Sequence, residues 1–182
     1  MLKEIRLHGR GGMGTVKAAE ILVYSAVMSG NYGNSIPFFG FERQGAPVTA
    51  FVRISDKPIR PKNQVYNPDI IVVLDPTIMN AVDVFEGVKD GASLVLNSAA
   101  DLNQIKIPEK VKKLGIVNAT MIAEGLLGRP ITNTIILGCF VKTTGLVTLE
   151  SVLERVDELF GEKNVEAVKK GYELTEIYDL SD

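Results

Sequence analysis

The chain has 182 residues, a net charge of −2, 46% hydrophobic and 23% charged residues, which is typical of one globular domain over residues 1–182. No apolar run approaches the roughly 18 residues of a membrane span, and one cysteine with one histidine excludes an internal disulfide, a His-pair metal site or a cysteine-ligated cluster. The amino terminus lacks an apolar signal region, so we expect a cytoplasmic protein.

Basic and acidic residues are unevenly distributed along the chain. Residues 1–68 contain nine basic and four acidic side chains, whereas residues 150–182 contain four basic and ten acidic ones. The basic part suits a phosphate-bearing ligand or an acidic partner, although a solvated surface of uneven charge explains it equally well. The absence of a strongly basic helix and of interleaved aromatic and basic residues argues against nucleic-acid binding.

The first predicted elements are a strand, a glycine-rich turn and a helix. Ile5 and Leu7 alternate with polar neighbours, which predicts a strand that ends at Gly9. Apolar residues at helical spacing predict a helix from about Gly14 to Met28, ended by Gly30.

The turn between them carries the G-x-G-x-x-G spacing at Gly9, Gly11 and Gly14, with Gly12 as an additional glycine. A turn of this kind leaves backbone N–H groups unpaired at the positive end of the next helix, which creates an anion-binding concavity. Glycine permits the unusual backbone angles and allows a ligand or a second chain to approach the backbone closely.

Residues 31–48 form a segment interrupted by five glycine or proline residues, which predicts a loop. It contains three phenylalanines and the charged pair Glu42-Arg43, and exposed aromatic side chains on such a loop indicate a contact surface. Alternating apolar residues from Val48 to Ile54 then predict a strand that pairs antiparallel.

The rest of the chain alternates between strands and helices. We predict strands over residues 69–75, 93–97 and 114–117, and helices over 120–127 and 134–143, with two more near 149–160 and 165–172. Asp75 either caps the following helix or belongs to a ligand site at the strand end, and the cap is favoured. The pattern predicts an α/β, three-layer, Rossmann-like domain with a mostly parallel, mixed sheet.

A dinucleotide site is the obvious interpretation of the glycine spacing, but its confirming residue is missing. An NAD site needs an acidic residue about 20 positions further on, and residues 30–39 contain no Asp, Glu or Arg. His8 is best explained by packing or turn support, and Cys139 lies in an apolar helix as a core thiol. The chain is therefore predicted to be a binding module without its own catalytic groups.

Two long stretches resemble a known family. HGRGGMGTVKAAE (8–20) and PFFGFERQGAPVTAFVRI (37–54) are similar to the gamma subunit of the 2-oxoacid:ferredoxin oxidoreductases, most of all in the pyruvate branch, with the 2-oxoisovalerate branch close behind. The similarity continues through residues 66–78 and 127–140 and covers nearly the whole chain. Met13 departs from the family, which more often has Gln there.

The resemblance implies a reaction that this chain cannot run alone. In the family, pyruvate is decarboxylated on thiamine diphosphate, electrons pass through [4Fe–4S] clusters to ferredoxin, and coenzyme A (CoA) takes the acetyl group. The thiamine diphosphate, Mg²⁺ and clusters belong to the alpha, beta and delta subunits. The gamma subunit is implied to enclose the active site and to help bind CoA. A stand-alone nicotinamide-dependent enzyme and a pure assembly protein are the alternative interpretations.

The resemblance also implies two groups of site residues. One group is the glycine turn, which is implied to face an anion or a partner. The other is a contact loop for a partner or CoA. Asn133 is added to this second group, although helix capping explains Asn133 as well. These residues are Gly9, Arg10, Gly11, Gly12 and Gly14 in the turn, and Phe39, Glu42, Arg43, Gly45 and Asn133 in the contact group.

Overall fold

The computed structural model of the chain describes residues 1–38 and 44–181. Within these residues, seven strands form one sheet, and five α-helices and two short 3-10 helices accompany it. The strands are β1 Leu2–Arg10, β2 Tyr32–Phe38, β3 Pro47–Ser55, β4 Ile70–Val73, β5 Ala92–Asn97, β6 Val111–Val117 and β7 Glu176–Asp179. The α-helices are α1 Thr15–Met28, α2 Ala119–Leu127, α3 Asn133–Thr144, α4 Leu149–Phe160 and α5 Glu162–Leu174, and the 3-10 helices are Pro76–Asn80 and Leu102–Gln104.

The described strands follow the spatial order β2-β3-β1-β4-β5-β6-β7. β1, β4, β5 and β6 are mutually parallel. The β2–β3 hairpin pairs antiparallel to β1 on one side, and β7 pairs antiparallel to β6 on the other. The predicted α/β fold with a mixed sheet is confirmed, and its parallel part is the central block of four strands.

The sheet separates two apolar cores, because successive side chains of a strand point to opposite faces. On β4 and just after it, Ile70, Val72 and Leu74 join the core beneath the α-helices, whereas Ile71 and Val73 join the second core. The second core is covered by the two 3-10 helices and the segments around them. Each face of the sheet is thus buried, as a parallel α/β sheet requires.

Helices α3 and α5 touch backbone to backbone. A Cβ added to Gly138 would overlap the carbonyl oxygen of Val168, and a Cβ added to Gly171 would overlap the carbonyl oxygen of Ile135. Both glycines are therefore needed for this close approach. The contact holds α3, which is buried along most of its length, firmly over the sheet.

The described helices match the predicted ones closely, whereas two strands differ from expectation. β2 occupies Tyr32–Phe38, inside the segment predicted as a loop, and β7 was not predicted at all. β2 tolerates Pro37 because it lies at the edge of the sheet, where a missing N–H does not interrupt a ladder. No helix in the described ranges is both long and apolar enough to cross a membrane.

Candidate functional site

The predicted turn lies where the chain connections of the sheet reverse direction. From β1 the chain leads through α1 to the β2–β3 hairpin on one side of β1. It then crosses to β4 on the other side of β1. The crevice outside the carboxyl ends of the strands at such a point is the usual ligand site of open α/β sheets. Arg10 ends β1 at this place, and Asp75 follows β4.

Three glycines give the turn a shape that other residues could not adopt. Gly12 and Gly14 have φ angles of 88° and 76°, in the left-handed region that favours glycine. A Cβ on Gly14 would also overlap the side chain of Asn133, and a Cβ on Gly9 would overlap the Thr15 hydroxyl. The glycine spacing therefore reflects both backbone angles and close packing.

Asn133 lies directly beneath the turn and is almost completely buried. Its Oδ1 accepts a hydrogen bond from the Thr134 N–H at 3.0 Å, at the start of α3. Thr132 occupies the cap position, but its hydroxyl donates to the Leu74 carbonyl at 3.0 Å and accepts no bond from the helix. These two residues attach α3 to the turn and to β4.

The stem of the predicted contact loop pairs with the turn. The Gly45 N–H donates to the Gly11 carbonyl at 3.1 Å, and the Gly11 N–H donates to the Ala46 carbonyl at 2.9 Å. The turn and residues 44–46 therefore form one continuous ledge. Phe39, Glu42 and Arg43 of the predicted loop lie outside the described residues.

Arg10 connects three segments at this edge. Its Nε donates to Asp75 Oδ2 and to Thr77 Oγ1, both at 3.1 Å, and Nη2 donates to Thr77 Oγ1 at 3.0 Å. Its Nη1 donates to the Gly45 carbonyl at 3.0 Å. The guanidinium thus holds the end of β1, the segment after β4 and the loop stem together, which we call the Arg10 clamp.

Asp75 serves this clamp and the start of the following 3-10 helix. Its Oδ1 accepts from the Thr77 N–H at 2.9 Å and from the Thr77 hydroxyl at 2.7 Å, so the predicted cap is confirmed. The other oxygen accepts from Arg10. The cap can be predicted from the sequence, but the ion pair cannot, because 65 residues separate Arg10 and Asp75 and no local sequence pattern indicates their contact.

An open cleft of about 700 Å³ lies over the turn and the first residues of α1. Gly11, Gly12, Val16, Lys17 and Gln44 belong to its lining. The N–H groups at the start of α1 precede the helical hydrogen-bond ladder, so the positive end of the helix dipole faces this region. The cleft offers backbone amides, the charged side chains of Arg10, Lys17 and Glu20, and some apolar surface to a ligand.

His8 is buried beside the turn, where it has a structural role. Arg6 Nε donates to His8 Nε2 at 3.1 Å, while Arg6 Nη2 donates to the Val84 carbonyl at 2.9 Å. Burial, and secondarily the charge of Arg6, lowers the pKa of His8 from 6.5 to about 3. His8 is therefore neutral at physiological pH, and its Nε2 accepts a hydrogen bond from the Arg6 Nε–H group.

Cys139 lies fully buried in α3, as predicted. Burial raises the pKa of its thiol from 9.0 to about 11, so the nucleophilic thiolate is scarce near neutral pH. Among the residues that the structure describes, no group of three or more His, Cys, Asp and Glu side chains could hold a metal ion.

The comparison with known proteins agrees with this geometry. A family model described as pyruvate ferredoxin/flavodoxin oxidoreductase matches residues 4–174. The pyruvate/ketoisovalerate oxidoreductases common subunit gamma of Pyrococcus furiosus is 51% identical over 183 residues, with 97% of this chain and 99% of that protein covered. Pyruvate synthase subunit PorC of Methanothermobacter thermautotrophicus is 49% identical over 177 residues, with 95% of this chain and 96% of that protein covered.

A solved structure extends the similarity to three dimensions. Pyruvate oxidoreductase subunit PORC of Thermotoga maritima superposes with a TM-score of 0.85 at 34% identity, with 98% of this chain and 99% of that chain covered. The matches span both proteins almost completely, so they include the glycine turn, the central sheet and the helical layer. The chain therefore belongs to the pyruvate ferredoxin/flavodoxin oxidoreductase family and is a gamma-type (PorC) subunit.

Proposed function

We propose that this chain is the gamma subunit of pyruvate:ferredoxin oxidoreductase (EC 1.2.7.1). The complex converts pyruvate, CoA and oxidised ferredoxin to acetyl-CoA, CO₂ and reduced ferredoxin. The observation that carries this proposal is the near-complete overlap with the PorC subunits of pyruvate synthase, at 49% identity in one relative. The gamma subunit is non-catalytic by itself and works only within the assembled complex.

In such a complex the chemistry belongs to the alpha, beta and delta subunits, which hold thiamine diphosphate, Mg²⁺ and the [4Fe–4S] clusters and pass electrons to ferredoxin. The gamma subunit helps to enclose the active site and contributes to CoA binding. Support comes from the side chains of this chain, because both its cysteine and its histidine are buried in structural roles.

The cleft over the glycine turn is the proposed place for the phosphate groups of CoA. The amides at the start of α1 and the helix dipole favour an anion there. The Arg10 clamp fixes the ledge formed by Gly11 and Gly45, so the cleft keeps its shape before a ligand arrives. Residues of the contact loop, Gly45 among them, are proposed to face CoA or a neighbouring subunit.

A second candidate is the gamma subunit of a 2-oxoisovalerate oxidoreductase, which one observation favours. The relative from Pyrococcus furiosus is named as a subunit common to the pyruvate and ketoisovalerate enzymes. A gamma subunit of this kind does not select the 2-oxoacid. The substrate profile of the complex that co-purifies with this chain distinguishes the two candidates.

The nicotinamide alternative finds no support in the described sheet. In a dinucleotide-binding fold, the strand after the first helix lies parallel beside the first strand and carries the acidic residue for the ribose. Here β3 lies antiparallel between β1 and β2. The ribose-binding position of that fold is therefore not formed.

Reconstitution of the complex tests the proposal. The partner subunits are assayed for pyruvate- and CoA-dependent viologen reduction with and without this chain. We expect activity to depend on its addition and the chain to co-elute with its partners. Full activity and normal assembly in its absence would contradict the proposal.

A further inference from the structure

An open groove of about 960 Å³ lies between α4 and α5. Its floor is apolar and consists of Leu149, Leu153 and Val165, which pack against the core but are only partly buried. Its rim is charged and consists of the exposed residues Glu150, Glu154, Asp157 and Glu162, with Lys169 as the one cation among the described lining residues. We call this surface the acidic groove. It suits a partner that offers both apolar groups and positive charge.

The carboxylates of the acidic groove exceed what the two helices need. Glu150 and Glu162 lie in the first turns of α4 and α5, where the helix dipole favours an acid. Asp157 lies among the last four residues of α4, where the dipole disfavours an acid, and Glu154 lies in the middle of that helix. None of the four forms an ion pair with another residue that the structure describes. These charges are therefore available to a cationic partner.

Residues 57–62, with the sequence KPIRPK, carry the charge that complements this groove. They follow β3 on the way to β4. Their three cations and two prolines are exposed, namely Lys57, Arg60 and Lys62 with Pro58 and Pro61. Within residues 1–38 and 44–181, no carboxylate forms an ion pair with any of the three cations. We call residues 57–62 the basic segment.

The basic segment is fixed at both ends by hydrogen bonds. Arg53 is buried, and it donates from Nη1 to the Asn63 carbonyl at 2.7 Å and from Nη2 to the Gln64 carbonyl at 3.1 Å. At the other end, the Lys57 N–H donates to the Ser55 hydroxyl at 3.1 Å. The two prolines restrict the backbone between these points. Little chain entropy is therefore lost when the segment binds a partner.

The basic segment and the acidic groove also match in length. An extended, proline-rich chain covers about 16 Å between residues 57 and 62. Glu150 and Asp157 are separated by about 10 Å along the axis of α4, and Glu162 adds a carboxylate from α5. Three cations can thus meet four carboxylates over a comparable distance, while the prolines lie on the apolar floor.

We propose that the acidic groove of one copy of this chain binds the basic segment of a second copy. The prolines cover the apolar floor, and the three cations pair with the carboxylates of the rim. The contact is heterologous, because it joins two different surfaces of the same chain. The inference does not depend on the proposed function, since neither surface belongs to the cleft over the glycine turn.

Sedimentation velocity of the full chain tests the inference. We expect the average sedimentation coefficient to rise with protein concentration at about 50 mM NaCl, and the association to weaken at about 500 mM NaCl, because salt screens exposed charges. Two charge-reversed chains are compared with the wild type. The segment variant carries Lys57→Glu, Arg60→Glu and Lys62→Glu, and the groove variant carries Glu150→Lys, Glu154→Lys and Asp157→Lys. Each should raise the Kd of self-association about tenfold or more, since three exposed ion pairs together correspond to roughly one factor of ten.

An equimolar mixture of the two variants is the decisive sample. It again places opposite charges on the two sides of each contact, so it should associate although neither variant does so alone. All six substituted side chains are exposed, so both variants should fold, and circular dichroism checks this. A charge-matched control of the segment variant carries Lys106→Glu, Lys110→Glu and Lys113→Glu, three exposed lysines outside both surfaces, and should self-associate like the wild type.

Three results would overturn the inference. The first is a wild-type chain that stays monomeric up to about 1 mM. The second is wild-type self-association in the segment variant or in the groove variant. The third is a mixture of the two folded variants that stays dissociated, because the basic segment and the acidic groove would then not be in contact.

Discussion

Arg10 determines how three distant segments meet at the edge of the sheet. Replacement by Ala removes its hydrogen bonds to Asp75, Thr77 and Gly45 and leaves a partly buried carboxylate without its cation. We expect Arg10→Ala to lower the free energy of unfolding by about 1–3 kcal/mol and to raise the KM for CoA. Arg10→Lys should recover little, because a single ammonium cannot span the three partners.

Urea denaturation of the isolated chain and the KM for CoA in the complex measure these two effects, with the exposed Arg60→Ala as control. Wild-type stability in Arg10→Ala would show that the clamp is dispensable.

His8 gives the chain a defined sensitivity to acid. Its pKa is lowered from 6.5 to about 3 in the folded state, so the unfolded state binds more protons between these values. Its contribution to stability is therefore complete above pH 6.5 and is lost as the pH falls towards 3. His8→Gln keeps an acceptor for Arg6 but cannot titrate.

Urea midpoints at pH 7 and pH 5 test this prediction. The wild-type chain should lose more stability than His8→Gln over this interval, and equal losses would refute the assignment.

At the scale of elements, the contact between α3 and α5 depends on two glycines whose absent side chains make room for the opposite backbone. Gly138→Ala and Gly171→Ala should each destabilise the chain by about 1–3 kcal/mol, as overpacking does. Gly125→Ala is the matched control, since a Cβ there meets no neighbouring atom and α2 should gain about 0.5–1 kcal/mol. Thermal melts compare the three variants, and a shift of the same sign in all of them would contradict the packing account.

Some helices and strands of this fold can be predicted from the sequence, and others cannot. The helices were predicted because their apolar residues recur at helical spacing, and the central strands because their runs are apolar and short. The sequence does not predict β2, because Gly33 and Pro37 indicate a loop. It does not predict β7 either, because the four residues of that strand are too few to show a periodic pattern. The glycine turn was predicted from its spacing, whereas the Arg10 clamp and the burial of Asn133 arise from contacts far apart in sequence.

At the scale of the whole molecule, the fold gathers the turn, the loop stem and the start of α1 at one edge of the central sheet. The basic amino-terminal part supplies this edge, while the acidic carboxyl-terminal part forms α4, α5 and β7. The charge asymmetry of the sequence therefore corresponds to different parts of the fold. In the proposed function, a subunit built in this way would contribute a coenzyme cleft to an active site that other subunits complete.

The most direct test of this account is the KM for CoA in a reconstituted complex that carries Gly12→Ala. Gly12 has a φ of 88° and lines the cleft, so a side chain there strains the turn and intrudes on the proposed phosphate site. Gly91→Ala imposes similar strain at a φ of 81° in open space and serves as the control. We predict that Gly12→Ala raises the KM for CoA about tenfold, the loss of one charge-assisted hydrogen bond, with the KM for pyruvate and the assembly unchanged. An unaltered KM for CoA in an intact complex would contradict the account.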